Sequence, residues 1–173
     1  MNYASIRECD IANGEGVRVT LFVSGCTRHC KGCFNPDQWS FDYGEPFDGK
    51  VERRIFDLLA MSHIAGLSIL GGEPMEPENQ RALVPFLRRM RERFGDSKTV
   101  WVYTGCVLET ELQSESRWRT DVTDEFLSLV DVLVDGPFVE EQKDISLRFR
   151  GSANQRIIEL RKHNKTKQGE QGK

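Results

Sequence analysis

From Arg18 to Val23 polar and apolar side chains alternate and then run apolar, with β-branched residues among them, so this segment is predicted to be a strand. It follows the turn Asn13-Gly14-Glu15-Gly16 and leads directly into Ser24-Gly25-Cys26. Val51, Ile55, Leu58 and Leu59 recur at helical spacing, which predicts an amphipathic helix over 51–64. Gly66 to Leu70 is a short apolar run stopped by Gly71-Gly72-Glu73-Pro74, and it reads as a buried strand. A second helix is predicted over 78–94 from Leu83, Phe86, Leu87 and Met90, with Pro85 expected to kink or break it. Thr99 to Tyr103 is a third strand, ending at Thr104-Gly105. The polar stretch 109–123 has little pattern, and a helix is expected over 124–130. Val132 to Val134 is a fourth strand ending at Asp135-Gly136-Pro137, and Arg156 to Leu160 fits a fifth strand or a helical turn equally well.

Strands alternating with helices predict an α/β fold with a parallel sheet. In such sheets ligands sit at the carboxyl ends of the strands. Four predicted strands end there in small or polar residues, and the cysteine-bearing loop shares that edge. The chain has 173 residues, short of the roughly 250 that a closed eight-stranded β/α barrel takes. The expected architecture is therefore an open partial (β/α) barrel of about five to six mostly parallel strands. One domain is expected over 1–161, followed by a polar, disordered tail over 162–173 without apolar periodicity.

Composition narrows the function classes. The net charge is −3, the hydrophobic fraction 38% and the charged fraction 29%, so no global basic field recruits nucleic acid. No run approaches the roughly 18 apolar residues of a membrane span. Residues 1–10 mix Arg7 with Glu8 and Asp10 and lack the apolar core of a secretory signal, so a cytoplasmic location is expected.

Five cysteines, an odd number, stand at 9, 26, 30, 33 and 106. Reduced thiols are expected, and clustered ones are metal ligands more often than not. Cys26-x3-Cys30-x2-Cys33 supplies three thiolates from one loop. Iron–sulfur clusters normally take four, so a triplet leaves one iron open, as a catalytic metal requires. Structural zinc completed by His29, Cys9 or Cys106 is the alternative. Cys9 and Cys106 read first as buried apolar thiols, His29 as a flank of the loop and Trp101 as core.

The triplet followed by Phe34, together with Gly71-Gly72-Glu73-Pro74, resembles the radical S-adenosylmethionine superfamily. Asp10-Ile11-Ala12-Asn13-Gly14, Thr20 to Cys26, Gly32 to Asn35, Trp101 to Gly105, Val132 to Phe138 and Phe149 to Arg156 resemble one family within it. That family is the glycyl-radical activases of anaerobic ribonucleoside-triphosphate reductases, and the likeness runs from Asn2 to about Arg161. The resemblance implies a radical S-adenosylmethionine type of part-barrel and a [4Fe–4S] cluster held by Cys26, Cys30 and Cys33. It implies S-adenosyl-L-methionine against Gly32, Cys33, Phe34, Gly71, Gly72 and Glu73, with Glu73 accepting from its amino group. The reaction it implies is reductive cleavage that places a glycyl radical on the reductase, fed by a reductant such as flavodoxin. Arg150 and Arg156 are expected to face that partner, and Asp135 either to orient a ligand or to cap a turn. Two other readings compete: a short radical enzyme acting on a small molecule, such as a 7-carboxy-7-deazaguanine synthase, and a zinc-binding interaction module.

Overall fold

A computed structural model describes residues 1–161; the expected tail over 162–173 lies outside them. The elements are β1 (Asn2–Asp10), β2 (Val17–Val23), a 3-10 turn (Pro36–Trp39), β3 (Glu45–Pro46), α1 (Gly49–Leu59), β4 (Ile64–Gly71) and α2 (Pro77–Phe94). They continue with β5 (Thr99–Tyr103), a π-helical turn (Leu108–Leu112), α3 (Thr123–Ser128), β6 (Val132–Asp135), a 3-10 turn (Glu140–Gln142) and β7 (Arg156–Glu159).

All seven strands form one mixed sheet in the order β3-β1-β2-β4-β5-β6-β7. The middle is parallel, β2 with β4, β4 with β5 and β5 with β6. Antiparallel strands flank it, β1 and β3 on one side and β7 on the other. The expected α/β class with parallel strands and helical crossovers therefore holds, but the sheet is wider than the five to six strands expected. β1 and β3 escaped the hydrophobic pattern because β1 exposes Ser5, Arg7, Glu8 and Cys9, and β3 is two exposed residues long. Arg156–Glu159 is a strand, not a helical turn.

α1 begins earlier than predicted because the Asp48 carboxylate accepts from the backbone N–H groups of Lys50 and Val51 and caps it. It ends earlier too, five residues short, since residues 60–63 turn back toward β4. α2 runs unbroken through Pro85. The lost backbone bond, worth about 3 kcal/mol in an exposed helix, is offset by Leu83, Val84, Phe86, Leu87 and Met90, which bury into the core on both sides of it.

Strand alternation divides the sheet into two faces. Val19, Leu21, Val23, Leu67, Ile69, Val100, Val102 and Leu133 join Ile55, Leu59, Phe86, Leu87 and Phe126 from the helices in one apolar core. The alternate positions carry Arg18, Thr20, Ser68, Trp101 and Tyr103. Trp101 is buried as expected, but on this second face, with Arg18 over its ring and Phe149 edge-on to it. Arg18 is fully buried. Its guanidinium donates to Ser68 Oγ, Glu15 O, Leu67 O, and both Thr99 O and Thr99 Oγ1. Burial lowers its pKa to about 10, so it stays charged at neutral pH with neutral oxygens as its direct partners.

Candidate metal centre

At the carboxyl ends of the parallel strands lies a cavity of about 160 Å³. Cys26, Cys30, Cys33, Phe34, Gly71, Gly72 and Glu73 all line it, so the triplet and the glycine motif, some forty residues apart, meet in space. Main-chain bonds hold the two loops together: Gly72 N–H donates to Val23 O and Glu73 N–H to Gly25 O, each at 2.8 Å. Side chains reinforce them. Asn79 Nδ2 donates to both Ser24 O and Glu73 O, and Glu76 Oε1 accepts from Thr27 N–H and Oγ1–H. A third segment locks on through Gln38 O and Trp39 O, which accept from Gly25 and Cys26 N–H.

This packing explains the glycine pair. A Cβ on Gly72 would stand 2.6 Å from Gly25 O and 2.9 Å from Gln38 O, and Gly71 has φ +111° beside Val23 O. No side chain fits at either position, whatever occupies the cavity. Gly32 is placed differently. It is left-handed (φ +70°) and faces the Glu140 carboxylate, outside the cavity lining.

Each thiol meets backbone donors: Arg28 and His29 N–H at Cys26, Phe138 N–H at Cys30, and Asn35 N–H at Cys33 Sγ, 3.4 Å away. Burial pushes Cys26 up to about 11 and raises Cys30 as well. Among the described residues no three His, Cys, Asp or Glu converge as ligands of a single ion would. Three soft sulfur donors on one loop, spread along a cavity wall and solvated by amides, suit a multi-iron cluster better than one zinc ion.

Glu73 is fully buried and its carboxylate is already engaged. Oε1 accepts from Thr104 Oγ1–H (2.6 Å) and Met75 N–H (2.9 Å), and Oε2 accepts from Gly105 N–H (2.8 Å), with Arg28 Nε at 3.4 Å. Burial raises its pKa against these donors. Glu73 thus ties the end of β4 to the end of β5. Arg28, between two of the cysteines, also pairs with Glu111 and stacks over Trp118.

One expectation needs correction. Cys9 is exposed, not buried, because a register shift between Arg7 and Asp10 takes that stretch of β1 off the ladder. Cys106 is buried in the core as expected. The Arg156 guanidinium pairs with Asp135 and Glu109. Asp135 is itself fully buried and also accepts from Leu108 N–H, which makes it a turn-fixing group. Arg150 donates to Gln155 O. Arg28, Trp39 and Tyr103 also line the cavity and were not singled out in the sequence. Period-2 alternation from Trp101 was the available signal for Tyr103; nothing local marked Trp39.

The family described as "4Fe-4S single cluster domain" matches residues 12–158, which puts the chain in the class of single-cluster iron–sulfur proteins. An anaerobic ribonucleoside-triphosphate reductase-activating protein of Pasteurella multocida is 45% identical over 159 residues, covering 91% of this chain and 96% of its own. Proteins of the same name from Escherichia coli K12 (40% identical, 93% of this chain and 100% of its own) and Enterobacteria phage T4 (35%, 91% and 93%) are also similar. The chain belongs to the family of anaerobic ribonucleoside-triphosphate reductase-activating proteins. Among the described residues no helix is long and apolar enough to cross a membrane.

Proposed function

We propose that this protein activates an anaerobic ribonucleoside-triphosphate reductase by placing a radical on one of its glycines, at the expense of S-adenosyl-L-methionine. The observation that carries the reading is the meeting of Cys26, Cys30 and Cys33 with Gly71 and Gly72 on one cavity, in a chain whose relatives bear the activating name. Cys26, Cys30 and Cys33 would hold the cluster, and the sheet is read as an open part-barrel of the radical S-adenosylmethionine type over residues 1–161. Bound there, the cluster would supply the one-electron reduction that S-adenosyl-L-methionine cleavage requires.

The chain's own residues do the positioning. Backbone amides at the three sulfurs stabilise negative charge on the thiolates. The Gly71-Gly72 backbone offers main-chain groups to the methionine portion, and Phe34 and the Cys33 backbone face the nucleoside. Glu73 holds the glycine loop against Thr104 and Gly105, so its part is to keep that backbone in place. Gly32 acts by letting the loop turn at Glu140. A reductant of the flavodoxin kind and a cytoplasmic setting fit a chain of reduced thiols.

The test is anaerobic reconstitution with iron and sulfide, followed by mixing with the reductase and S-adenosyl-L-methionine under a low-potential reductant. A brown protein with about four irons per chain, equimolar methionine and 5′-deoxyadenosine, and a glycyl radical signal by electron paramagnetic resonance are expected. A colourless protein with one tightly held zinc, or a cluster protein that leaves the reductase without radical, would refute it.

A further inference from the structure

The cysteine loop carries two basic side chains in different settings. Lys31 is 78% exposed and pairs with Glu140 and Glu141 at the rim, so water and salt screen its charge. The Arg28 side chain is only 14% exposed, and among the described residues that line the cavity Arg28 is the only Lys or Arg. Acidic groups outnumber it. Glu73 is fully buried beside it, Glu111 pairs with it, and three thiols share its loop.

Contacts from four directions fix the guanidinium. Nη2 donates to Glu111 Oε1 on the π-helical turn at 2.8 Å, and Nε stands 3.4 Å from Glu73 Oε2 on the glycine loop. The guanidinium lies over the Trp118 ring at 4.5 Å. Its stem crosses Gly105, where a Cβ would come within 2.5 Å of Arg28 Cδ. The charge is therefore held in place before any cluster arrives. Two observations tie Arg28 to the cysteines. Its backbone N–H meets the Cys26 thiol, and burial raises the Cys30 thiol while the Arg28 charge works against that rise. A cation that steadies a thiolate steadies an iron–sulfur cluster the more as that cluster gains negative charge.

We infer that Arg28 sets the reduction potential of the cluster, its fixed positive charge favouring the reduced form. This rests on the proposed function and adds to it a residue that acts by charge on the group that Cys26, Cys30 and Cys33 would hold. A low-potential reductant delivers one electron, and a cluster already left anionic by three thiolates takes on a further negative charge, with no bond broken and no proton moved. Little water reaches Arg28. Removing its charge should therefore change the ratio of reduced to oxidised cluster at a fixed potential about tenfold, which for one electron is about 59 mV.

The experiment is an anaerobic redox titration of reconstituted protein, without S-adenosyl-L-methionine or reductase, in which the reduced cluster is counted by electron paramagnetic resonance. Iron content and melting temperature are measured on the same samples. Arg28→Met should shift the midpoint about 59 mV more negative, and Arg28→Lys, which keeps the charge, should lie nearer the wild type. Glu111→Gln removes a negative charge from the same group and should move the midpoint the opposite way. Its shift should be smaller, because Glu111 is more exposed than Arg28. An unchanged midpoint in Arg28→Met, an equal shift in Arg28→Lys, or shifts of the same sign in Arg28→Met and Glu111→Gln would overturn the inference. Lower loading or melting temperature with a wild-type midpoint would overturn it too, as the mark of a structural tie. If Arg28→Met held no cluster, Glu111→Gln would decide: a more positive midpoint supports control by charge, and an unchanged or more negative one refutes it. A wild-type chain that took up no reducible cluster would instead refute the proposed function.

Discussion

On the helix-covered face of β2, β4 and β5, Val19, Leu21, Ile69 and Val102 are completely buried in the apolar core. One residue along in each strand, the opposite face buries Arg18, Thr20, Ser68 and Trp101 just as deeply. The first face needs only shape and volume. The second also needs partners for its polar atoms, as the Arg18 guanidinium finds, because a buried donor or acceptor without one costs more than a paired one returns. Apolar packing is thus written on one set of alternating positions and a polar network on the other. The cysteine loop, hung from the end of β2, belongs functionally to the second set.

The sharpest way to break this division is to remove a thiol. Cys26→Ala, Cys30→Ala or Cys33→Ala should abolish iron retention and S-adenosyl-L-methionine cleavage, while the metal-free variants melt within a few degrees of the metal-free parent; collapse of the fold would show that site and scaffold are not separable. Ile69→Ala, on the helix-covered face, should do the reverse: about 3 kcal/mol of destabilisation by denaturant titration, with cleavage per folded, cluster-loaded chain preserved. Arg18→Met tests the second face itself. It removes one donor from each of five oxygens and should cost about 2–3 kcal/mol, and an unchanged unfolding midpoint would make the network dispensable.

A smaller effect concerns pH. Cys26 lies near 11 and Cys30 is raised, both chiefly by burial, so both thiols are protonated at neutral pH and must release protons to bind iron. Raising the pH from 7 to 9 at fixed free iron should therefore increase cluster loading, and a flat response would mean that the thiols are already ionised. The smallest effect is at the rim, where Lys31 pairs with Glu140 and Glu141 in the open. Lys31→Ala should change neither melting temperature nor loading measurably, as exposed pairs contribute little.

The helix-covered face was legible in the sequence because its signal is local: apolar alternation in strands and 3.6-residue periodicity in α1 and α2. The cysteine triplet and the Gly71-Gly72 pair were legible for a similar reason, since their spacing is itself the message. What stayed hidden depends on register. Arg18 opens a run that reads as an ordinary amphipathic strand, and only its pairing opposite Gly66, with Ser68 and Thr99 within reach, shows it to be buried and satisfied. Cys9 looked apolar until the shift in β1 put it outside. Glu73 could be placed next to the glycines, but its bonds to Thr104 and Gly105 cross more than thirty residues. Trp39 stacks on His29, a contact that no periodicity announces.

The three cysteines span a single loop of eight positions, whereas the two loops of the site are joined by the β2–β4 ladder and its main-chain bonds. A cluster held by these three thiols would staple almost no chain, since the entropy removed by a cross-link grows with the length it encloses. In this respect the protein is the opposite of a zinc finger, in which the metal and the fold arrive together. A molecule that lost such a cluster would keep its sheet, its glycine loop and two of the cavity's walls, and would stand ready to be refilled rather than refolded.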